Sequence, residues 1–199
     1  MNIEGMTIQK PLMRVLPLFM LAGCSLFEPR EPEPPSQSSS NFRPPTTPDI
    51  VISNLQSAIA QRNLQNYISC FSNPANNSLG FTFAPSQTFA IQLGSWTYER
   101  EYAFMQELIS NAQPNGFCNL LLTPKTTLIF SDSVGYTFDY TFTFETLPSE
   151  NFPSTAHGNL EFKIGVDNSG TWSIYYWDDN ELPNSTDNTW SSFKHKFPG

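Results

Sequence analysis

The sequence has few charged residues and very few histidines. Charged side chains make up 14% of the 199 residues, and the only histidines are His157 and His195. His157 precedes a glycine and His195 lies between two lysines, so neither has the spacing of a metal site or a catalytic triad. The sequence also contains no glycine-rich phosphate loop and no nucleophile elbow. We therefore expect no metal site, no cofactor and no catalytic residue.

Basic residues are also scarce. The chain has 10 Lys and Arg against 18 Asp and Glu, which gives a formal net charge of -8. The basic residues are scattered, and Lys194 with Lys196 is the nearest approach to a cluster. Because an acidic surface repels phosphate backbones, we expect no binding to nucleic acid.

No hydrophobic run is long enough to cross a bilayer as a helix. The run Val15–Ala22 is far below the roughly 18–20 residues that a span requires. Lys10 and Arg14 precede it, which is typical of an export signal. We interpret residues 1–23 as a signal peptide.

The end of this run, Leu21-Ala22-Gly23-Cys24, resembles the lipobox of bacterial lipoproteins. The resemblance implies cleavage before Cys24, transfer of a diacylglyceryl group to its thiol, and acylation of the new amino terminus by a fatty acid such as palmitate. Several acyl chains give stable anchoring where one chain is marginal. Ser25 in the next position favours the outer membrane over the inner membrane, by the sorting rule of enterobacteria. The alternative is a buried cysteine at the end of a chance apolar run.

Residues 24–46 follow as a predicted linker. Between residues 25 and 46 there are six prolines and five serines and no apolar periodicity, so this segment cannot form a core. Residues 47–199 remain for one folded domain.

The first part of that domain has helical periodicity. Thr47 and Pro48 suit a helix N-cap and first turn, and Asn63 suits a second cap before a helix that we predict to reach Phe71. A short strand is predicted at "FTFAP" and a third helix from about Trp96 to Asn111.

From Phe117 onward the period changes to two. Strands are predicted at "FCNLLL" and "TTLIF", on either side of Pro124, and at "VGYTFDYTFTFET", "NLEFKIGVD" and "TWSIYYWDD". The tail offers Trp190, Phe193 and Phe197 for packing onto the domain. Helices followed by antiparallel strands indicate an α+β domain; an all-β sandwich or a lipocalin-like barrel is the alternative.

This order, with "LQSAIAQRNLQNYISCFSN" leading into "FTFAP", resembles the nuclear transport factor 2-like superfamily, also called SnoaL-like. The resemblance implies a conical roll in which a curved antiparallel sheet wraps around the N-terminal helices and leaves a pocket. Some members are isomerases or dehydratases and others only bind or dimerise, so the fold does not decide the function.

The isomerase chemistry of that family requires a carboxylate just before the proline of the first strand, and Ala84 occupies this position. Asp139 is predicted on the threonine-bearing face of its strand, away from the pocket. Asp178, Asp179 and Glu181 lack the spacing of a calcium loop and are interpreted as a solvated strand end.

Aromatic side chains are the candidates for a pocket wall, because they combine apolar area with a polar tip. The candidates are Tyr67, Trp96, Tyr98, Tyr102, Tyr136, Tyr140 and Trp177. Plain core is the alternative. Cys70 and Cys118 either form a disulfide or remain two buried free thiols.

The sequence therefore predicts a lipid-anchored protein of the cell envelope. Its domain would bind another envelope protein or an apolar ligand without catalysis, and it could form a homodimer through the threonine-bearing face. The alternative is a small-molecule-binding protein, or an isomerase-like or dehydratase-like enzyme, that uses the conical pocket.

Overall fold

A computed structural model describes residues 41–148 and 152–198. The predicted signal peptide and the anchor residue Cys24 lie outside the described residues. The elements in chain order are α1 (Pro48–Ala60), α2 (Leu64–Ile68), β1 (Thr82–Ala84), α3 (Ala90–Leu93), α4 (Tyr98–Ser110), β2 (Cys118–Ile129), β3 (Ser133–Phe144), β4 (Thr155–Val166), β5 (Trp172–Asn180) and α5 (Trp190–Lys196). A short 3₁₀ turn, Gln87–Phe89, precedes α3.

The five strands form one sheet in the order β1-β5-β4-β3-β2. All neighbours are antiparallel except β1, which lies parallel to β5. The strict alternation of β3 gives the sheet two different faces: its aromatic residues point to a buried inner face and its threonines to an outer face. The helices cover the inner face, and the predicted α+β class is confirmed.

Local signals explain where the first helices begin. The side chain of Thr47 accepts a hydrogen bond from the backbone N–H of Ile50, and Pro48 opens the first turn. Asn63 caps α2 in the same way through the N–H of Asn66. Arg62, between the two helices, has a positive φ of 52°, which turns the chain sharply.

Three features differ from the predicted elements. The second helix ends at Ile68 instead of Phe71, because Phe71 leaves the helix to form a parallel bridge with Ile174 of β5. The two segments around Pro124 form one strand, β2. A proline is tolerated there because β2 is the edge strand and a bulge follows between Pro124 and Thr126.

The third difference is that the structure has two short helices, α3 and α5, that were not predicted from the sequence. The sequence predicts that the tail packs back on the domain, which the structure confirms, but not that it does so as a helix. Within the described ranges, no helix has the length and hydropathy to cross a membrane.

The last residues of the predicted linker contact the domain. The backbone N–H of Arg43 donates to Asn54 of α1, and the side chain of Asn54 donates back to the carbonyl of Arg43. The carbonyl of Pro45 accepts from the N–H of Trp172, the first residue of β5.

Candidate functional site

The candidate site is the interior of the cone, between the inner face of the sheet and the helices. Four of the seven predicted wall residues meet there: Tyr67 from α2, Trp96 before α4, Tyr140 from β3 and Trp177 from β5. Each is at most 3% exposed. The interior is therefore aromatic, as expected, but it is closed to solvent.

The other three predicted wall residues, Tyr98, Tyr102 and Tyr136, are half-buried at the margin. The hydroxyl of Tyr136 donates to Asp49 Oδ1 over 2.6 Å, which links β3 to the first turn of α1. Burial is the main cause that raises the pKa of Tyr136, and the Asp49 carboxylate adds to it. Tyr136 thus helps to position α1 and does not line the interior.

Helix α5 fills the space that a ligand would need. Thr189 caps this helix in a capping box with Ser192. Trp190, Phe193 and Lys194 are all 0% exposed. The Trp190 ring lies 3.9 Å from the Phe142 centroid and 4.6 Å from that of Trp177. Helix α5 therefore occupies the interior of the cone.

A buried ion pair lies at the centre of this packing. Lys194 Nζ donates to Glu101 Oε2 on α4, and both side chains are 0% exposed. Glu101 also accepts from the Tyr67 hydroxyl at 2.5 Å and from Trp96 Nε1 at 2.7 Å. The carboxylate therefore has three donors from three separate parts of the chain, as a buried charge requires.

The ammonium group of Lys194 also lies against aromatic faces. It is 4.2 Å from the Phe83 centroid, 4.7 Å from those of Trp96 and Phe104, and 5.0 Å from that of Trp177. Such faces attract a cation. Burial nevertheless lowers the pKa of Lys194 to about 8, against the opposing attraction of Glu101.

A second polar cluster holds the other end of α5. Asp179 of β5 accepts from the Tyr140 hydroxyl at 2.7 Å, and from the N–H and hydroxyl of Ser191 at 2.7 and 2.5 Å. Tyr140 in turn accepts from the N–H of Trp190 at 2.7 Å. Burial raises the pKa of Asp179, although these hydrogen bonds oppose the shift. The interpretation of Asp179 as part of a solvated strand end was wrong, because it shares the inward face of β5 with Trp177.

Two buried donors of the interior are unpaired among the residues that the structure describes. Trp177 Nε1 and Trp190 Nε1 are buried and have no hydrogen-bond partner in the part of the chain that the structure describes. Among buried polar groups such atoms are uncommon. They lie in the contact between β5 and α5, where the two indole rings meet edge to face at 61°.

The described surface has shallow depressions. One of about 280 Å³ lies between Phe89, Phe152, Asn188 and His195. Another of about 200 Å³ lies on the outer face beside Asp139, Thr141 and His157. His157 is within hydrogen-bond distance of Thr141.

Asp139 lies on the threonine-bearing outer face, as its position in the strand predicts. It pairs with Lys125 at 3.0 Å, and its hydrogen bond to this lysine is the main cause that lowers its pKa. Ala84 lies at the end of β1, where isomerases of the resembling family would have a carboxylate. Neither residue supplies a base to the interior.

Both cysteines of the domain are buried and free, so the alternative of two free thiols holds. Cys70 Sγ faces the carbonyl of Asn66, and burial raises its thiol pKa. Cys118 accepts from Arg62 Nε. Across residues 41–148 and 152–198, no group of three or more His, Cys, Asp or Glu is arranged to hold a metal ion.

Comparison with known proteins finds likeness in structure alone. The chain matches no protein-family model, and it matches none of the curated proteins. A nuclear transport factor 2-like superfamily protein from Salmonella enterica serovar Typhimurium is similar with a TM-score of 0.51 and 11% identity, over 68% of this chain and 89% of that one. The domain has a nuclear transport factor 2-like fold.

Two further solved structures agree with this fold. A conserved protein from Planctomyces limnophilus aligns with a TM-score of 0.52 and 11% identity, over 68% of this chain and 93% of that one. A proposed dehydratase of the nuclear transport factor 2-like family from Streptomyces avermitilis aligns with a TM-score of 0.50 and 8% identity, over 68% and 93%. At such low identity the likeness establishes the fold alone.

Sequence reasoning missed the polar residues of the interior. The candidates did not include Glu101, Ser191 or Lys194. Side chains of these types are mostly exposed, and Glu and Lys are almost never fully buried unless they are paired. Glu101 and Lys194 are 93 positions apart, so no local sequence pattern predicts their contact. For Asp179 a signal existed: it follows the buried Trp177 by two residues, which places both on one face of β5.

Proposed function

We propose that the protein is a lipid-anchored lipoprotein of the cell envelope whose domain binds a partner protein and does not turn over a substrate. The predicted cleavage site before Cys24 and the proline-rich segment after it support the anchor. The proposal that the domain does not turn over a substrate rests on the filled interior of the cone. This space is occupied by Trp190, Phe193 and Lys194, which are 0% exposed.

An enzyme or carrier needs an interior that admits a small molecule, typically a cleft of roughly 300–1,000 Å³. The depressions described above are smaller and open. In the interior, Glu101 is engaged with Tyr67 and Lys194, and Asp179 is engaged with Tyr140. Both side chains of the Glu101–Lys194 pair are 0% exposed, so the pair is better explained as packing than as chemistry. The filled interior therefore counts against the enzymatic alternative.

The outer face of the sheet is the surface on which we place the partner. Among residues 41–148 and 152–198, helices cover only the inner face, and the outer face presents threonines together with Asp139, Lys163 and Glu161. Such a surface does not count against a non-obligate interface, which as a whole is about as apolar as the rest of a protein surface. A second copy of the chain is an alternative occupant of the same face.

Two experiments test the proposal. Cells are labelled with a fatty acid and fractionated, comparing wild type with Cys24→Ala. We expect the variant to lose both the label and the membrane association. A variant that keeps the label and sediments like wild type would refute the anchor.

For the partner, tagged protein is purified from detergent-solubilised membranes of its own host. Thr137→Arg adds a bulky charge to the outer face, whereas Thr186→Arg makes the same change in an exposed loop. We expect a stoichiometric partner with wild type and Thr186→Arg, and its loss with Thr137→Arg. Equal recovery with both variants contradicts the placement, and self-association of the purified chain assigns the face to a second copy.

A further inference from the structure

The end of β2 and the first residue of the turn that follows it carry three consecutive exposed apolar side chains. Leu128 is 56% exposed, Ile129 79% and Phe130 60%. A run of this kind on a protein surface is unfavourable unless it is used, because it leaves large apolar side chains in water. We call residues 128–130 the apolar tip.

The three side chains of the apolar tip point to both faces of the sheet. Leu128 pairs with Gly135 on the outer face and lines a groove of about 180 Å³ with Phe130 and Tyr175. Ile129 pairs with Val134 and therefore points to the inner face. A flat protein partner on the outer face would cover Leu128 and Phe130 and leave Ile129 in water. A medium that surrounds the end of the sheet, such as a bilayer, would cover all three.

Ile129 is exposed on the inner face because the helices end before it. The first turn of α1 reaches Tyr136, whose hydroxyl binds Asp49. Tyr136 pairs with Thr127, two residues before Ile129. The apolar tip thus extends beyond the helical layer at one end of the sheet.

The residues just before α1 contact the sheet at this same end. The N–H of Val166, at the end of β4, donates to Asp132 beside the tip. Val166 pairs with Trp172, and the N–H of Trp172 donates to Pro45. From Pro45 the chain leads back toward Cys24.

The distance to the predicted anchor is short. Residues 24–40 are 17 positions, which can reach at most about 60 Å. A connection of only 17 residues confines the domain close to its anchor and so raises its effective concentration at the anchoring surface. Even a weak apolar contact with the anchoring surface would therefore be populated.

We propose that the apolar tip inserts into the membrane that holds the lipid anchor, and so fixes the orientation of the domain on the bilayer. This inference rests on the proposed lipid anchor. Asp132 is the charged residue of the turn, and the groove beside the tip is lined by one lysine, Lys163, which pairs with Glu161; the described residues thus place no basic cluster there. Insertion should therefore depend on apolar contact and not on anionic lipids. The outer face would then stand beside the membrane and stay open to a protein partner.

The test uses the full lipidated protein in vesicles of phosphatidylcholine. A polarity-sensitive dye is attached at Ser131→Cys next to the tip, or at Thr186→Cys as the control. Both positions are exposed, and residue 186 lies at the opposite end of the sheet, where Asn188 accepts from His157 at the start of β4. Quenching by brominated lipid reports the contact of each dye with the bilayer.

We expect stronger quenching and a blue shift at position 131, and neither at 186. Ile129→Ser with Phe130→Ser should abolish the quenching while the protein still sediments with vesicles. Leu121→Ser, which removes an equally exposed leucine elsewhere on β2, should leave it unchanged.

Equal quenching at both positions in vesicle-bound protein would overturn the insertion and leave the anchor intact. Protein that does not sediment with vesicles at all refutes the anchor, and with it this inference. If the dye at position 131 shows a blue shift without quenching, and two copies cross-link at position 131, the tip would be assigned to a second copy instead.

Discussion

Replacing Lys194 with methionine tests the account of the interior most directly. Methionine keeps most of the side-chain length among the four aromatic rings but removes the charge. Glu101 is then a fully buried carboxylate with only the Tyr67 hydroxyl and the Trp96 indole as donors. Removing one partner of a buried ion pair typically costs about 3–5 kcal/mol. We expect a loss of that size in the free energy of unfolding at pH 7.

Glu101→Gln has a comparable cost for a different reason. Without its carboxylate partner, Lys194 can escape the buried charge only by losing its proton. At pH 7 that costs at most roughly 5 kcal/mol, since each unit between pH 7 and the ordinary lysine pKa near 10.4 corresponds to about 1.4 kcal/mol. The two single variants should therefore be destabilised by similar amounts.

The double variant should recover most of this loss. Glutamine at position 101 still accepts from Tyr67 or Trp96, and the methionine at 194 leaves no charge. At least one buried N–H is then left unsatisfied, and each such group costs about 1–3 kcal/mol. The two changes should thus be coupled by about 3 kcal/mol or more in a double-mutant cycle.

Urea unfolding followed by tryptophan fluorescence provides the measurement, because Trp96, Trp177 and Trp190 all lie in the interior. The matched control is the exposed pair Lys125–Asp139, with side chains 50% and 42% exposed. Lys125→Met there should cost no more than about 1 kcal/mol. A cost below about 1 kcal/mol for Lys194→Met, or a double variant as unstable as the sum of the singles, would refute the reasoning.

Two further predictions follow from the same interior. Because the folded pKa of Lys194, about 8, lies below its ordinary value of 10.5, the unfolded state binds more protons between these values, and stability should rise with pH there by up to about 1.4 kcal/mol per unit. Denaturant titrations from pH 7 to 10 should show this rise in wild type and not in Lys194→Met, and a flat wild-type profile would contradict it. Gly158→Ala would place a Cβ 2.7 Å from the carbonyl oxygen of Asn180 and from the Tyr140 ring, so we expect a cost of about 1–3 kcal/mol in urea unfolding. Gly135→Ala meets its nearest atom at 3.7 Å and should be within about 0.5 kcal/mol of wild type; equal losses in both would show that crowding is not the cause.

Local chemistry made the frame of the fold predictable. Thr47 and Asn63 act as the caps that their residue types suggest, and the alternation of β3 divides the aromatic face from the threonine face as written in the sequence. These features depend on a few neighbouring residues, so one sequence contains all the information they need.

Long-range placement was not predictable in the same way. Four aromatic wall candidates reach the interior, but nothing near them in the sequence indicates that α5 occupies the space between them. The tail does carry apolar residues at helical spacing, Trp190, Phe193 and Phe197. That pattern shows which side chains are buried and not where the helix is inserted. The partner of Lys194 lies on α4, and only the folded chain brings the two together.

The polar contacts of α5 explain how the tail is held in one position. Aromatic rings alone would tolerate a rotation or a slide of a seven-residue helix, because apolar contacts are not directional. Ser191 and Lys194 are three residues apart and so lie on one side of α5, where Asp179 and Glu101 accept from them. A rotation would leave two buried carboxylates without these donors, at a cost that packing cannot offset. We infer that these contacts give the helix a single register, and that the chain uses its charged interior to close the cone. In the function that we propose, recognition is left to the outer face and the apolar tip.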